Sequence, residues 1–129
     1  GTDPQEAALF ARETAVDAMA ISVGNVLLQQ DKQGGLDEAR IRAIEALTRV
    51  PLVIHGGSGV PMAQRRTLAL GSNICKFNIG TELRMAFGAA LRQAVNRDPA
   101  RFDRISILQE THDPVVAAAR SVLATFKRG

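Results

Sequence analysis

The sequence runs to 129 residues, 46% of them hydrophobic, with 16 basic and 13 acidic side chains and a net charge of +3. That is enough chain for one globular domain with its own core. With no Trp, no Tyr and five scattered Phe there is little to stack on bases, and Lys and Arg are spread over helices, so no nucleic-acid partner is expected. No apolar run approaches the ~20 residues that span a bilayer, so no membrane partner is expected either. The opening residues Gly1-Thr2-Asp3-Pro4 carry neither the basic nor the apolar part of a signal peptide, which predicts a cytoplasmic location. Lone Cys75 rules out an internal disulfide, and its apolar neighbours predict a buried, inert thiol. A small anionic ligand suits this composition best.

In chain order, Asp3-Pro4-Gln5-Glu6 has the form of a helix start, with Asp3 as N-cap and Glu6 placed for a capping box. Ala7, Phe10 and Ala11 form its apolar face. Val16 to Val23 reads as a strand ending at Gly24. A polar loop containing Gly34-Gly35 leads to a helix from Asp37, with Ile41, Ile44 and Leu47 facing the sheet. Leu52 to His55 reads as a strand, Pro61 to Leu70 as a helix closed by Gly71, and Cys75 to Ile79 as a further strand. The helix from Thr81 carries Leu83, Phe87, Ala90, Leu91 and Ala94 at helical spacing; Asn96 to Thr111 reads as irregular. A last helix from Asp113-Pro114 carries Val116, Ala119, Leu123 and Phe126. The alternation predicts an α/β fold, about three parallel strands with flanking helices and an extra C-terminal helix, in one unit over 1–129. Three strands cannot close a barrel, so open sheet edges are expected unless further chain pairs with them.

The most informative stretch is Pro51 to Thr81. Leu52, Val53 and Ile54 are apolar without alternation, as in a strand covered on both faces, and His-Gly-Gly-Ser-Gly (His55 to Gly59) follows directly. The two glycines let backbone approach an anion, and Ser58 adds a hydroxyl just before a helix start, whose amino end favours negative charge. A second apolar run ends in Asn78-Ile79-Gly80-Thr81, also before a helix. Two such loops at neighbouring strand ends predict a phosphate site beside a possible metal ligand, His55. Either loop alone reads as an ordinary strand-to-helix turn.

These residues, Pro-Leu-Val-Ile-His-Gly-Gly-Ser-Gly-Val-Pro followed by Lys76-Phe77-Asn78-Ile79-Gly80-Thr81-Glu82-Leu83, closely resemble the class II ketose-bisphosphate aldolases, among them the fructose- and tagatose-bisphosphate aldolases. The resemblance extends from Thr2-Asp3-Pro4 through Val16-Asp17-Ala18 to the Phe126-containing tail. It implies a (β/α)8 TIM barrel, which typically takes ~250 residues, so the chain matches only the carboxyl-terminal half. It further implies reversible cleavage of a phosphorylated ketose to dihydroxyacetone phosphate and an aldehyde, and a dimer or tetramer of the full barrel. In the family, three histidines hold zinc, which acts as a Lewis acid. One of them maps onto His55. The phosphate ligands map onto Gly56, Gly57 and Ser58 of the first loop and onto Asn78, Gly80 and Thr81 of the second.

The chain departs from the family at Gly24-Asn25-Val26-Leu27-Leu28, where Leu27 stands in place of the second histidine and Leu28 in place of a glycine near the phosphate. Leucine cannot coordinate Zn²⁺. The third histidine and the proton-transferring carboxylates belong to the other half, so no catalytic residue is assigned. His112 reads as an exposed histidine before a helix, Gln29, Gln30 and Asp31 as a solvated loop, and Glu82 as a carboxylate stabilised by a helix dipole. Lys76 gives no sign of Schiff-base chemistry. Two functions stay open: an aldolase-like lyase, and a non-catalytic sugar-phosphate-binding relative or inert fragment.

Overall fold

The computed structural model describes residues 1–24 and 35–126. Helix α1 (Pro4–Thr14) begins where expected, since the Asp3 carboxylate accepts from the amides of Gln5 at 2.9 Å and Glu6 at 3.0 Å. It ends at Ala15, in the left-handed region at φ 51°, which turns the chain into β1 (Met19–Ile21). This strand is shorter than the Val16–Val23 predicted, because the turn takes up its first residues and Val23 leaves the sheet to accept from the Asp37 amide at 2.8 Å. Asp37 caps α2 (Glu38–Leu47), and β2 (Leu52–Ile54) follows. A short 3₁₀ turn (Gly57–Gly59) then leads to α3 (Met62–Gly71) and β3 (Ile74–Phe77).

The three strands form one parallel sheet in the order β1-β2-β3, with Ile21 opposite Ile54 and Ile54 opposite Phe77. Central β2 is buried along its whole length, which explains its unbroken aliphatic run. Ile21, Ile41, Ile44, Leu52, Ile54 and Ile74 make the heart of the core. The carboxyl ends of β2 and β3 therefore emerge side by side. Helix α4 (Thr81–Arg97) packs on α6 (His112–Ala124) with Ala90, Ala94 and Val122 buried, small residues that let the helices approach.

Several apolar residues lie elsewhere than periodicity placed them. Phe10, Leu47 and Leu123 are at least half exposed, each at the rim of its helical stripe, while smaller or branched neighbours fill the core. Gly71 is the last residue of α3 rather than its cap; Ser72 caps it, with its amide and its hydroxyl both donating to the Leu68 carbonyl. Cys75 is exposed, not buried. It alternates with buried Ile74 on the edge strand β3 and so faces away from the helices. Within the stretch read as irregular, α5 (Arg104–Gln109) forms because Asp103 accepts from the Ser106 amide at 2.8 Å.

Leu52→Ala, which empties a fully buried site beside Ile44, should cost about 2–5 kcal/mol in urea unfolding, against under about 1.5 kcal/mol for Leu52→Met. Hydrogen bonds from Arg101, then Arg97, hold the Glu110 carboxyl below its ordinary value of 4.5. A lowered folded-state value gives stability that is present above the ordinary value and lost as pH falls through the lowered one. Glu110→Gln should therefore flatten the acid limb of the stability curve below about pH 4.5, measured by urea midpoints against pH.

Candidate functional site

The ends of β2 and β3 enclose a cavity of about 680 Å³. His55, Gly56 and Ser58 line it from the first loop; Asn78, Gly80 and Thr81 line it from the second. Arg84, on the first turn of α4, completes the wall. Parallel pairing alone brings the loops together, and two features fix their geometry. Gly56 sits at φ 64°, a left-handed turn that sends the chain back under His55. Gly57 lies behind the cavity, with its amide donating to the Asn78 carbonyl at 3.0 Å. A Cβ at Gly57 would stand 2.9 Å from Ile79 Cδ1 and 3.2 Å from the Asn78 carbonyl, so the close approach of the loops requires glycine there.

Ser58 is buried, and its hydroxyl oxygen accepts from the amides of Gly80 and Glu82, each at 3.3 Å. The first loop thus caps the helix that leaves the second. With both lone pairs engaged, the hydroxyl keeps its own proton to donate, which suits an acceptor such as a phosphate oxygen. Gly80 commits its amide to Ser58, whereas the amides of Ser58 and Thr81 have no partner among the described residues. Two unpartnered N–H groups and a hydroxyl donor on one wall can hold an oxyanion. Gly80 also makes room for Arg84: a Cβ there would lie 2.7 Å from Arg84 Nη2.

His55 is exposed at the mouth of the cavity, and its Nδ1 lies 2.9 Å from Asn78 Nδ2. As assigned, the Asn78 amide donates and Nδ1 accepts, so the neutral ring carries its proton on Nε2; a rotated amide would reverse the roles. His112 opens α6 instead and pairs with Asp113 at 2.9 Å, outside the cavity. Among the described residues no three His, Cys, Asp or Glu converge as a metal site. A catalytic zinc with three protein ligands does not fit this donor set, of which only His55 is a cavity residue. Leu27, Leu28, Gln29, Gln30 and Asp31 lie outside the described residues.

The residue that sequence reading missed is Arg65 on α3. It is completely buried, with Nε donating to the Val60 carbonyl at 2.9 Å and Nη2 to the Ser58 carbonyl at 3.0 Å. Nη2 also pairs with the Glu82 carboxylate. Glu82, read as a helix-dipole charge, thus has a specific partner. The signal was available: Arg65 is three residues before Leu68, on the buried stripe of α3.

Comparison with known proteins agrees with this geometry. The family model "Fructose-bisphosphate aldolase class-II" matches residues 1–128. A fructose-bisphosphate aldolase from Geobacillus stearothermophilus is 32% identical over 125 residues, covering 96% of this chain and 43% of its own length. The crystal structure of the YdjI aldolase from Escherichia coli superposes with a TM-score of 0.73 at 29% identity, covering 97% of this chain and 44% of that one. The chain spans less than half the length of both relatives.

Gly57→Ala should cost about 1–3 kcal/mol and part the two loops, because backbone and a packed Ile79 meet the new methyl. Gly71→Ala, which meets nothing within 4 Å, should be neutral or slightly stabilising in the same thermal melts.

Proposed function

The chain belongs to the class II fructose-bisphosphate aldolase family, and on that premise we propose that it is one partial barrel domain over 1–129 that holds the phosphate of a phosphorylated ketose. The proposed reaction of the barrel is reversible aldol cleavage to dihydroxyacetone phosphate and an aldehyde. The observation that carries this reading is the convergence of two strand-end loops on one cavity, with unpartnered amides at Ser58 and Thr81. Backbone donors fixed by Gly57 and by the Ser58 cap need no rearrangement to receive a dianion, which favours binding by preorganisation. Asn78 lies beside His55 and would orient the carbonyl end of the ligand, while the phosphate sits between Ser58 and Thr81.

Zinc is the family's cofactor, yet the described residues do not form a zinc site, so the chemistry attributed to them is binding and orientation. That observation favours a second reading for the chain by itself, a non-catalytic sugar-phosphate-binding relative. Among the described residues no helix is long and apolar enough to cross a membrane. A cytoplasmic location and a dimeric or tetrameric full barrel belong to the proposal and rest on family membership.

Dihydroxyacetone phosphate titrated into the chain and followed by ³¹P NMR should bind saturably, with inorganic phosphate competing. Ser58→Ala should weaken binding about tenfold, the usual size of a hydrogen bond to a charged group. A chain that binds neither compound overturns the phosphate reading. Zinc per chain, by elemental analysis of protein purified without chelator, separates the two functions: close to none is expected for the binding relative, close to one for a lyase with a substitute ligand.

A further inference from the structure

The Arg65–Glu82 pair invites a question that packing does not answer. Burying a guanidinium costs several kcal/mol, and a methionine of similar volume could sit beside Leu68 without that cost. Moreover, Arg65 Nη1 is buried without a partner among the described residues, so the guanidinium is not even fully compensated. Stability alone is a poor account of this residue.

Position offers a better one. Glu82 follows Thr81, whose unpartnered amide belongs to the cavity wall, and its own amide donates to Ser58, another wall residue. A carboxylate so close to an oxyanion site would repel a phosphate through a poorly screened medium. Yet Glu82 is not part of the wall. Its carboxylate is drawn onto Arg65, which sits behind the Gly57–Gly59 turn and grips the Ser58 and Val60 carbonyls as well.

We infer that Arg65 is a positioning residue for anion binding: it holds the Glu82 charge behind the first loop and neutralises it, leaving the cavity wall to the amides, the Ser58 hydroxyl and Arg84. The inference rests on the phosphate reading of the cavity. It treats the ion pair as an electrostatic shield, where a structural clamp would only tie α3 to α4.

The two roles predict opposite signs for one substitution. Glu82→Gln keeps an oxygen acceptor for Arg65 and removes a negative charge beside the site. A shield predicts that affinity for inorganic phosphate, measured on the 129-residue chain by ³¹P NMR titration, rises at least about threefold. A clamp predicts unchanged or weaker binding. Arg65→Met uncovers the carboxylate and should weaken phosphate binding about tenfold; adding Glu82→Gln to it should restore most of the loss, which a packing defect would not allow. Unchanged or weaker binding by Glu82→Gln overturns the inference, as does a double variant no better than Arg65→Met. If Arg65→Met fails to fold, the sign seen with Glu82→Gln decides alone. A wild-type chain that binds no phosphate overturns the site reading and this inference with it, whereas wild-type binding with the wrong sign for Glu82→Gln sinks the inference only.

Discussion

Everything at the site depends on the parallel pairing of β2 with β3 and on its extension past the strand ends. The Asn78 amide donates to the Ile54 carbonyl at 2.8 Å, and the Gly57 amide donates back to the Asn78 carbonyl at 3.0 Å. These bonds continue the ladder into the loops, so two segments that would otherwise wander are held one strand spacing apart. Ser58 then bridges onto the next helix, and Arg65 secures the carbonyls on the other side of the same turn. A cavity with a defined floor follows from hydrogen bonds that are nearly all backbone. That explains why so little of it depends on ionisable side chains.

Local chemistry made much of this legible in the sequence. Asp3 and Asp37 announced helix starts, since a carboxylate before a helical run has one obvious employment, and the unbroken Leu52-Val53-Ile54 run announced a covered central strand. The loop residues could be named because glycine, serine and asparagine after an apolar run are rarely there for packing. What failed needed knowledge of neighbours. Cys75 looked buried because its neighbours are apolar, but on an edge strand alternate residues face away from the helices. Leu123 obeyed the helical period and still faces outward, because Val122 took the place against α4. Helix α5 was missed because six residues between a polar stretch and α6 give too short a periodic signal, although Asp103 marked its start.

Partner assignments were the least legible layer. The motif put Ser58 at the phosphate, and the structure adds that its hydroxyl oxygen is already shared by two helix amides. The motif likewise grouped Gly57 with Gly56, whereas one is a spacer between loops and the other a turn. Three-dimensional sharing of donors distinguishes residues that a linear motif lists as equals. The same holds for the two histidines: similar in the sequence, they end up at a cavity mouth beside Asn78 and at a helix start beside Asp113.

The sheet itself points to what a complete barrel would add. Parallel strands are ordinarily covered on both faces, but among the described residues the helices cover one, and Ala20 and Cys75 stay exposed. β1 and β3 each pair on one side only. Closing the sheet into a barrel removes both edges and turns that exposed face into an interior. The YdjI aldolase, of which this chain matches 44%, has the length for such closure. In a closed barrel the cavity at the ends of β2 and β3 would gain walls from strands opposite, and His55 would gain neighbours able to share a metal. The half that is present fixes an anion with backbone geometry; the chemistry of bond cleavage needs groups placed across the barrel from it.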